Sequence, residues 1–212
     1  MLTKFKKKFQ SWMVIEARLA RDAGLTPNHV SAVGVLLASA SALSYWMSGV
    51  QLYMGNRELL IVLGSIFLLA SGFCDALDGA LARLQGRATA LGGFLDSLFD
   101  RYADAAIYCG LILGGLCDVS WGLTALVGSL LVSYARARGE AAGVPMETVG
   151  LVERAERLLI IAAASFLNLL WSGSLRWGVA ALAVLTNITV AQRAVYFWRK
   201  TASQKRDAIK SC

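Results

Sequence analysis

The chain has 212 residues, is 57% hydrophobic and only 17% charged, and carries a formal net charge of +7. Its mean hydropathy of +0.56 excludes an ordinary soluble domain, whose composition is nearer half apolar and a quarter charged. Two prolines, 20 glycines and long apolar runs without period-2 alternation exclude a transmembrane barrel, so the expectation is an all-α integral membrane protein.

Residues 1–26 open on a basic cluster. Leu2, Phe5, Phe9, Trp12, Met13 and Ile15 interleave with Lys4, Lys6, Lys7, Lys8 and Arg18, a pattern suited to an amphipathic juxtamembrane helix lying on an anionic surface. No apolar core with a small-residue cleavage site follows, so a cleaved signal peptide is not expected. Thr26 is placed to cap the next helix, with Pro27 in its first turn. His29, the single histidine, reads as an ordinary helix-start residue, since a lone imidazole without a positioned partner carries little information.

From there the sequence predicts six apolar spans of about 20 residues, the length that crosses roughly 30 Å of hydrocarbon. They run over 29–49, 58–82, 89–116, 120–138, 152–171 and 175–198. With no repeat or long linker, residues 27–200 form one six-helix membrane domain, and 201–212 a basic cytoplasmic tail. Six spans place both termini on one side. Every one of the 21 lysines and arginines except Arg57 and Arg176 falls on that side, which the positive-inside rule makes cytoplasmic. Trp46, Trp121, Trp171 and Trp177 fall at the outer ends and Trp12 and Trp198 near the inner ones, as an aromatic belt requires. The basic charge is thus read as membrane-facing, with no nucleic-acid partner. The four cysteines, Cys74, Cys109, Cys117 and Cys212, show no CxxC spacing and read as core or incidental residues.

The second and third spans carry the chemistry. Residues 71–104 hold five aspartates and three arginines inside apolar sequence. Asp75, Asp78, Gly79, Ala82 and Arg83 share one face of one helix, and Gly92, Asp96 and Asp100 share one face of the next. The short turn between them makes the helices antiparallel neighbours, so the acidic faces can meet. Asp75 lies eight residues before Arg83, or roughly 12 Å along the helix, so the site is a cavity below the inner surface. Carboxylates converging there repel one another. Two divalent cations remove that objection, and hard oxygen ligands without histidine or cysteine point to Mg²⁺ or Mn²⁺. Such an ion pair stabilises both oxygens of a displacement at phosphorus. Gly79 and Gly92 leave room for a ligand against the backbone, and Arg83 suits a phosphate. Arginine pairing across a helix bundle is the structural alternative, but only Arg83 and Arg101 lie near four carboxylates on two facing stripes.

The run D-x2-D-G-x2-A-R-x8-G-x3-D-x3-D, met by Asp75, Asp78, Gly79, Ala82, Arg83, Gly92, Asp96 and Asp100, resembles the CDP-alcohol phosphotransferases, membrane enzymes of phospholipid synthesis. The resemblance implies six transmembrane helices, usually a homodimer, and a polar cavity facing the cytoplasm. It implies that Asp75, Asp78, Asp96 and Asp100 hold two metal ions and that Asp100 deprotonates the acceptor hydroxyl. Gly79, Ala82 and Arg83 would form part of the CDP-lipid pocket, with Gly92 beside them and Pro27, Asn28 and Ser31 on the nucleotide side. Asp104 continues the stripe outside the motif and receives no role.

Farther along, Arg136, Arg138, Arg154 and Arg157 cluster where the fourth and fifth spans meet the cytoplasm, and Arg193 sits at similar depth on the sixth. Positive-inside bias accounts equally well for Arg138 and Arg154. Arg136 and Arg193 follow apolar sequence, and a basic pocket there suits a phosphorylated acceptor. Ser133, Tyr134, Arg136, Ala137, Arg138, Glu140, Gly150, Leu151, Glu153, Arg154, Glu156 and Arg157 are similar to a run in the branch of the family that makes phosphatidylinositol phosphate or its archaeal ether-lipid counterpart. Arg136 stands where that branch has lysine, and Ala155 where it has proline. The branch implies Arg136, Arg157 and Arg193 as inositol phosphate contacts, with CDP-diacylglycerol or CDP-archaeol as donor and CMP as leaving product. Glycerol 3-phosphate or serine as acceptor is the alternative within the chemistry, and a cation or organic-anion transporter is the alternative outside it.

Overall fold

The computed structural model describes residues 13–50, 55–86, 89–146 and 148–210, the last seven of these by backbone alone. Among them are seven helices: α1 (13–22), α2 (Pro27–Met47), α3 (Arg57–Leu84), α4 (Ala90–Leu113), α5 (Val119–Ala141), α6 (Arg154–Leu167) and α7 (Ser174–Lys210). The chain divides into two compact units, Met1–Gly110 and Leu111–Cys212. The six helices α2 to α7 fall on the six runs expected from the sequence. The leader's Leu2, Phe5, Phe9, Trp12 and four lysines lie outside the described residues.

In the first unit, Met13, Ala17 and Ala20, spaced i, i+4 and i+7, turn one face of α1 into a core with Val30 of α2 and Ala80 and Leu81 of α3. Of the apolar residues expected to face lipid, Met13 is therefore committed to protein, whereas Ile15 is exposed. Thr26 caps α2 as expected, its side chain accepting from the His29 N–H, with Pro27 in the first turn. Helices α2 and α3 are joined by serine hydroxyls that donate across the pair. Ser71 Oγ bonds to the Gly34 carbonyl at 2.9 Å, and Ser41 Oγ to the Gly64 carbonyl at 2.7 Å. The acceptors are glycines because the approach is close: a Cβ on Gly34 would stand 3.2 Å from that of Cys74, and one on Gly64 would press into the Tyr45 ring. At the far end of α4, Gly110 lies against the Ala42 backbone of α2, where a Cβ would collide with the carbonyl.

In the second unit, α5 packs on α7 through Gly128, opposite Thr186 and Asn187, and α6 returns to α7 through Ser174 Oγ, bonded to the Ala164 carbonyl at 2.6 Å. The loop ahead of α6 is fastened to α7. The Val152 N–H donates to Thr189 Oγ1 at 3.3 Å. Gly150 stands beside Thr189 with φ +130, a backbone region that side chains disfavour. Glu153 and Glu156 then form a capping box that starts α6.

The burial pattern is that of a lipid-facing protein. Leu36, Ile66, Val184 and Trp198 are exposed, while Ser41, Ser65, Ser71, Thr186 and Thr189 are buried, the reverse of a water-soluble bundle. Three described helices, α2, α3 and the Ser174–Ser203 part of α7, are long and apolar enough to cross a membrane. Helix α4 carries Asp96, Asp100, Arg101 and Asp104, and α6 has 14 residues, about 21 Å. Residues 201–210, expected as a tail, continue α7. Cys117, in the turn before α5, is buried, and burial pushes its thiol up to about 11, so it is chemically inert.

Candidate functional site

The carboxylates of α3 and α4 do converge. Asp75, Asp78 and Asp96 each place a ligand oxygen within 4.8 Å of the others. This follows from local structure at both helices. On α3, Asp75 and Asp78 lie one turn apart; on α4, Thr89 caps the helix by accepting the Gly92 N–H at 3.0 Å, which sets Asp96 one turn farther in. Three like charges so close repel one another, and an all-oxygen donor set without histidine or thiolate fits Mg²⁺ or Mn²⁺.

Asp100 is not one of the three. It lies one turn beyond Asp96, with Oδ2 paired to the Arg101 guanidinium at 3.2 Å. Asp104, one turn farther, is 3% exposed. Gly79 and Arg83 form a unit on α3: the exposed Arg83 guanidinium folds back so that a Cβ at Gly79 would lie 3.5 Å from it. Ala82 is half-buried between them in sequence, and Pro27 and Asn28 open α2. Ser31, expected on the nucleotide side, lies on α2 within reach of Asp78. Its hydroxyl donates to Asp78 Oδ2 at 2.5 Å, and Asp78 is 6% exposed. No sequence signal marks this contact, because the two residues are 47 positions apart.

The second unit brings Arg136, Arg157 and Arg193 together. Arg157 and Arg193 are the largest fully buried side chains described, each 2% exposed. Arg193 donates from Nε to the Val149 carbonyl at 2.8 Å and from Nη1 to the Val132 carbonyl at 2.5 Å, and its charged neighbours are Glu153, Arg136, Arg157 and Glu140. Arg136 is half-exposed and paired with Glu140 at 2.9 Å. Arg193 is thus a fastener for the 149–152 loop as well as a member of the basic cluster. Thr189, which holds the same loop, escaped the sequence reading, although the glycine of the Gly150-Leu151 run hinted at a tight approach.

The family model for CDP-alcohol phosphatidyltransferase matches residues 24–199. Archaetidylinositol phosphate synthase from Pyrococcus horikoshii is 38% identical over 195 residues, covering 91% of this chain and 94% of that protein. Two crystal structures of phosphatidylinositol phosphate synthase from Mycobacterium tuberculosis are similar in fold. The one with CDP-DAG bound superposes with a TM-score of 0.74 at 31% identity, covering 88% of this chain and 93% of the other. The one in complex with manganese and citrate superposes at 0.73 and 32%, covering 88% of each.

Proposed function

The chain belongs to the CDP-alcohol phosphatidyltransferase family and is a membrane transferase of phospholipid synthesis, and on that premise we propose that it transfers the phosphatidyl-type group of a CDP-lipid to inositol 1-phosphate. The donor is CDP-diacylglycerol or CDP-archaeol, and CMP is released. The observation that carries this reading is the convergence of Asp75, Asp78 and Asp96; the buried Arg157 and Arg193 with Arg136 beside them support a phosphorylated acceptor.

Asp75, Asp78, Asp96 and Asp100 would hold two divalent ions, Mg²⁺ or Mn²⁺. When bound, such ions neutralise the carboxylates and the donor diphosphate and stabilise the entering and leaving oxygens of a displacement at phosphorus. Asp100 accepts the proton of the acceptor hydroxyl. As that oxygen bonds to the lipid-linked β-phosphorus, the bond from the same phosphorus to the CMP oxygen breaks. Arg83 takes a diphosphate oxygen over the space left by Gly79. Ala82, Gly92, Pro27 and Asn28 shape the CDP end, and Arg136, Arg157 and Arg193 hold the acceptor phosphate.

The same reading sets the chain as one six-span membrane domain over 27–200, an amphipathic leader over 1–26 and a basic tail over 201–212. Both termini and the active site face the cytoplasm of the cell membrane, and the enzyme is a homodimer.

The test is CMP release by purified protein given CDP-lipid and Mg²⁺, with inositol 1-phosphate, glycerol 3-phosphate and serine competed at equal concentration and the lipid product weighed. A phosphoinositol phosphate lipid is expected. A glycerophosphate product would reassign the acceptor, and silence with every acceptor would remove the transferase reading. Metal uptake into proteoliposomes without CDP-lipid would favour a transporter.

A further inference from the structure

We propose that Ser31 is a positioning residue for the metal site: held on α2, its hydroxyl orients the carboxylate of Asp78 on α3. The inference rests on the reading of Asp78 as a metal ligand and goes beyond it, since it moves Ser31 from the nucleotide side of the site to the support of a ligand.

The geometry is specific. Ser31 Oγ stands 2.5 Å from Asp78 Oδ2 and 3.0 Å from the Pro27 carbonyl. A hydroxyl has one proton to give. The shorter contact lies at the short end of the charge-assisted range of about 2.5–2.7 Å for O–H···O⁻, so the proton goes to the carboxylate. Asp78 is the most buried of the three clustered aspartates, where solvent has little part in fixing its rotamer. The Gly79 N–H also bonds this carboxylate, and with four lone-pair sites in all the two donors leave acceptor positions for a cation.

The support is itself fixed. Ser31 lies in the first turns of α2, whose start is set by the Thr26 cap and Pro27. Sliding of α2 along α3 is opposed by the bonds from Ser71 to Gly34 and from Ser41 to Gly64, and by the close approach of Gly34 to Cys74. The hydroxyl therefore reaches Asp78 from a neighbouring helix held in register. Partners of this kind that orient a metal ligand typically change metal affinity by about 10–100-fold.

The experiment is a Mn²⁺ titration of the purified protein in detergent without substrate, with free Mn²⁺ read by electron paramagnetic resonance. Ser31→Ala should raise the Mn²⁺ Kd by about 10–100-fold, and Ser31→Thr, which keeps the hydroxyl, should restore it. Ser41→Ala removes the same kind of helix-to-helix bond on the same helix pair and should leave Mn²⁺ affinity at the wild-type value, which separates orientation of Asp78 from helix packing. At saturating Mn²⁺, Ser31→Ala should regain the wild-type KM for CDP-lipid. Wild-type Mn²⁺ affinity in Ser31→Ala would overturn the proposal. So would a raised donor KM that persists at saturating Mn²⁺, which would make Ser31 a nucleotide contact. Absence of Mn²⁺ binding by the wild-type protein would instead remove the metal reading, and the proposal with it.

Discussion

The acidic cluster of the first unit and the arginine cluster of the second handle charge inside a membrane protein in opposite ways. At the first, three carboxylates of one sign crowd within 4.8 Å on α3 and α4, an arrangement whose ionised form calls for a cation from outside the chain. At the second, three arginines are interspersed with Glu140 and Glu153, and Arg193 is bonded to two backbone carbonyls. The basic cluster thus mixes its charges with carboxylates and backbone carbonyls, whereas the acidic one crowds charges of a single sign. The first is therefore sensitive to ions and the second to the packing of the helices that carry it.

Removing the ions is the sharpest way to separate the two. CMP release should fall to background in EDTA and return with Mn²⁺, while inositol phosphate binding at the arginines, read by calorimetry, is retained; loss of both would erase the distinction. Next in size, Asp100→Asn should lower kcat by about 10²–10⁴-fold, the usual worth of a general base, with CDP-lipid binding still measurable. Arg193→Ala should lower both stability and acceptor affinity. It strips a donor from the Val149 and Val132 carbonyls, at about 1–3 kcal/mol for each buried group left unmade, read as a fall in Tm in detergent. Gly150→Ala should weaken acceptor affinity through the loop it distorts. Its φ of +130 and the nearby Thr189 methyl set a strain of about 1–3 kcal/mol, and the donor KM should not move. Smallest in stability is Arg136→Ala, whose half-exposed pair with Glu140 is worth no more than about 0.5 kcal/mol. Its effect should be confined to the acceptor KM, and a Tm loss equal to that of Arg193→Ala would collapse the contrast.

Much of the acidic site was legible in the chain because helical periodicity is local. Asp75 and Asp78 at i and i+3, and Asp96 beyond a capped turn, could be set on two facing stripes by spacing alone, and the start of α2 at Thr26 and Pro27 was readable for the same reason. The basic cluster was legible only as a collection. Its members come from α5, α6 and α7, and nothing in the spacing of Arg136, Arg157 and Arg193 says that one is a loop fastener and another a half-exposed ion pair. The basic run expected as a tail over 201–212 continues α7 in helical form as far as Lys210, since a charged run late in an apolar helix marks the membrane edge without breaking the backbone pattern.

By itself, then, the sequence determined the all-helical class, the helix starts that depend on a cap, the acidic stripes and the family, all of which rest on residues within a few turns of one another. Tertiary structure alone decided that Ser31 serves Asp78 across 47 residues, that Thr189 and Arg193 hold the loop ahead of α6, and that two arginines are buried while a third is not. The physical reason is that a hydroxyl or guanidinium takes its role from whichever carbonyl or carboxylate the packing of another helix brings within hydrogen-bonding distance.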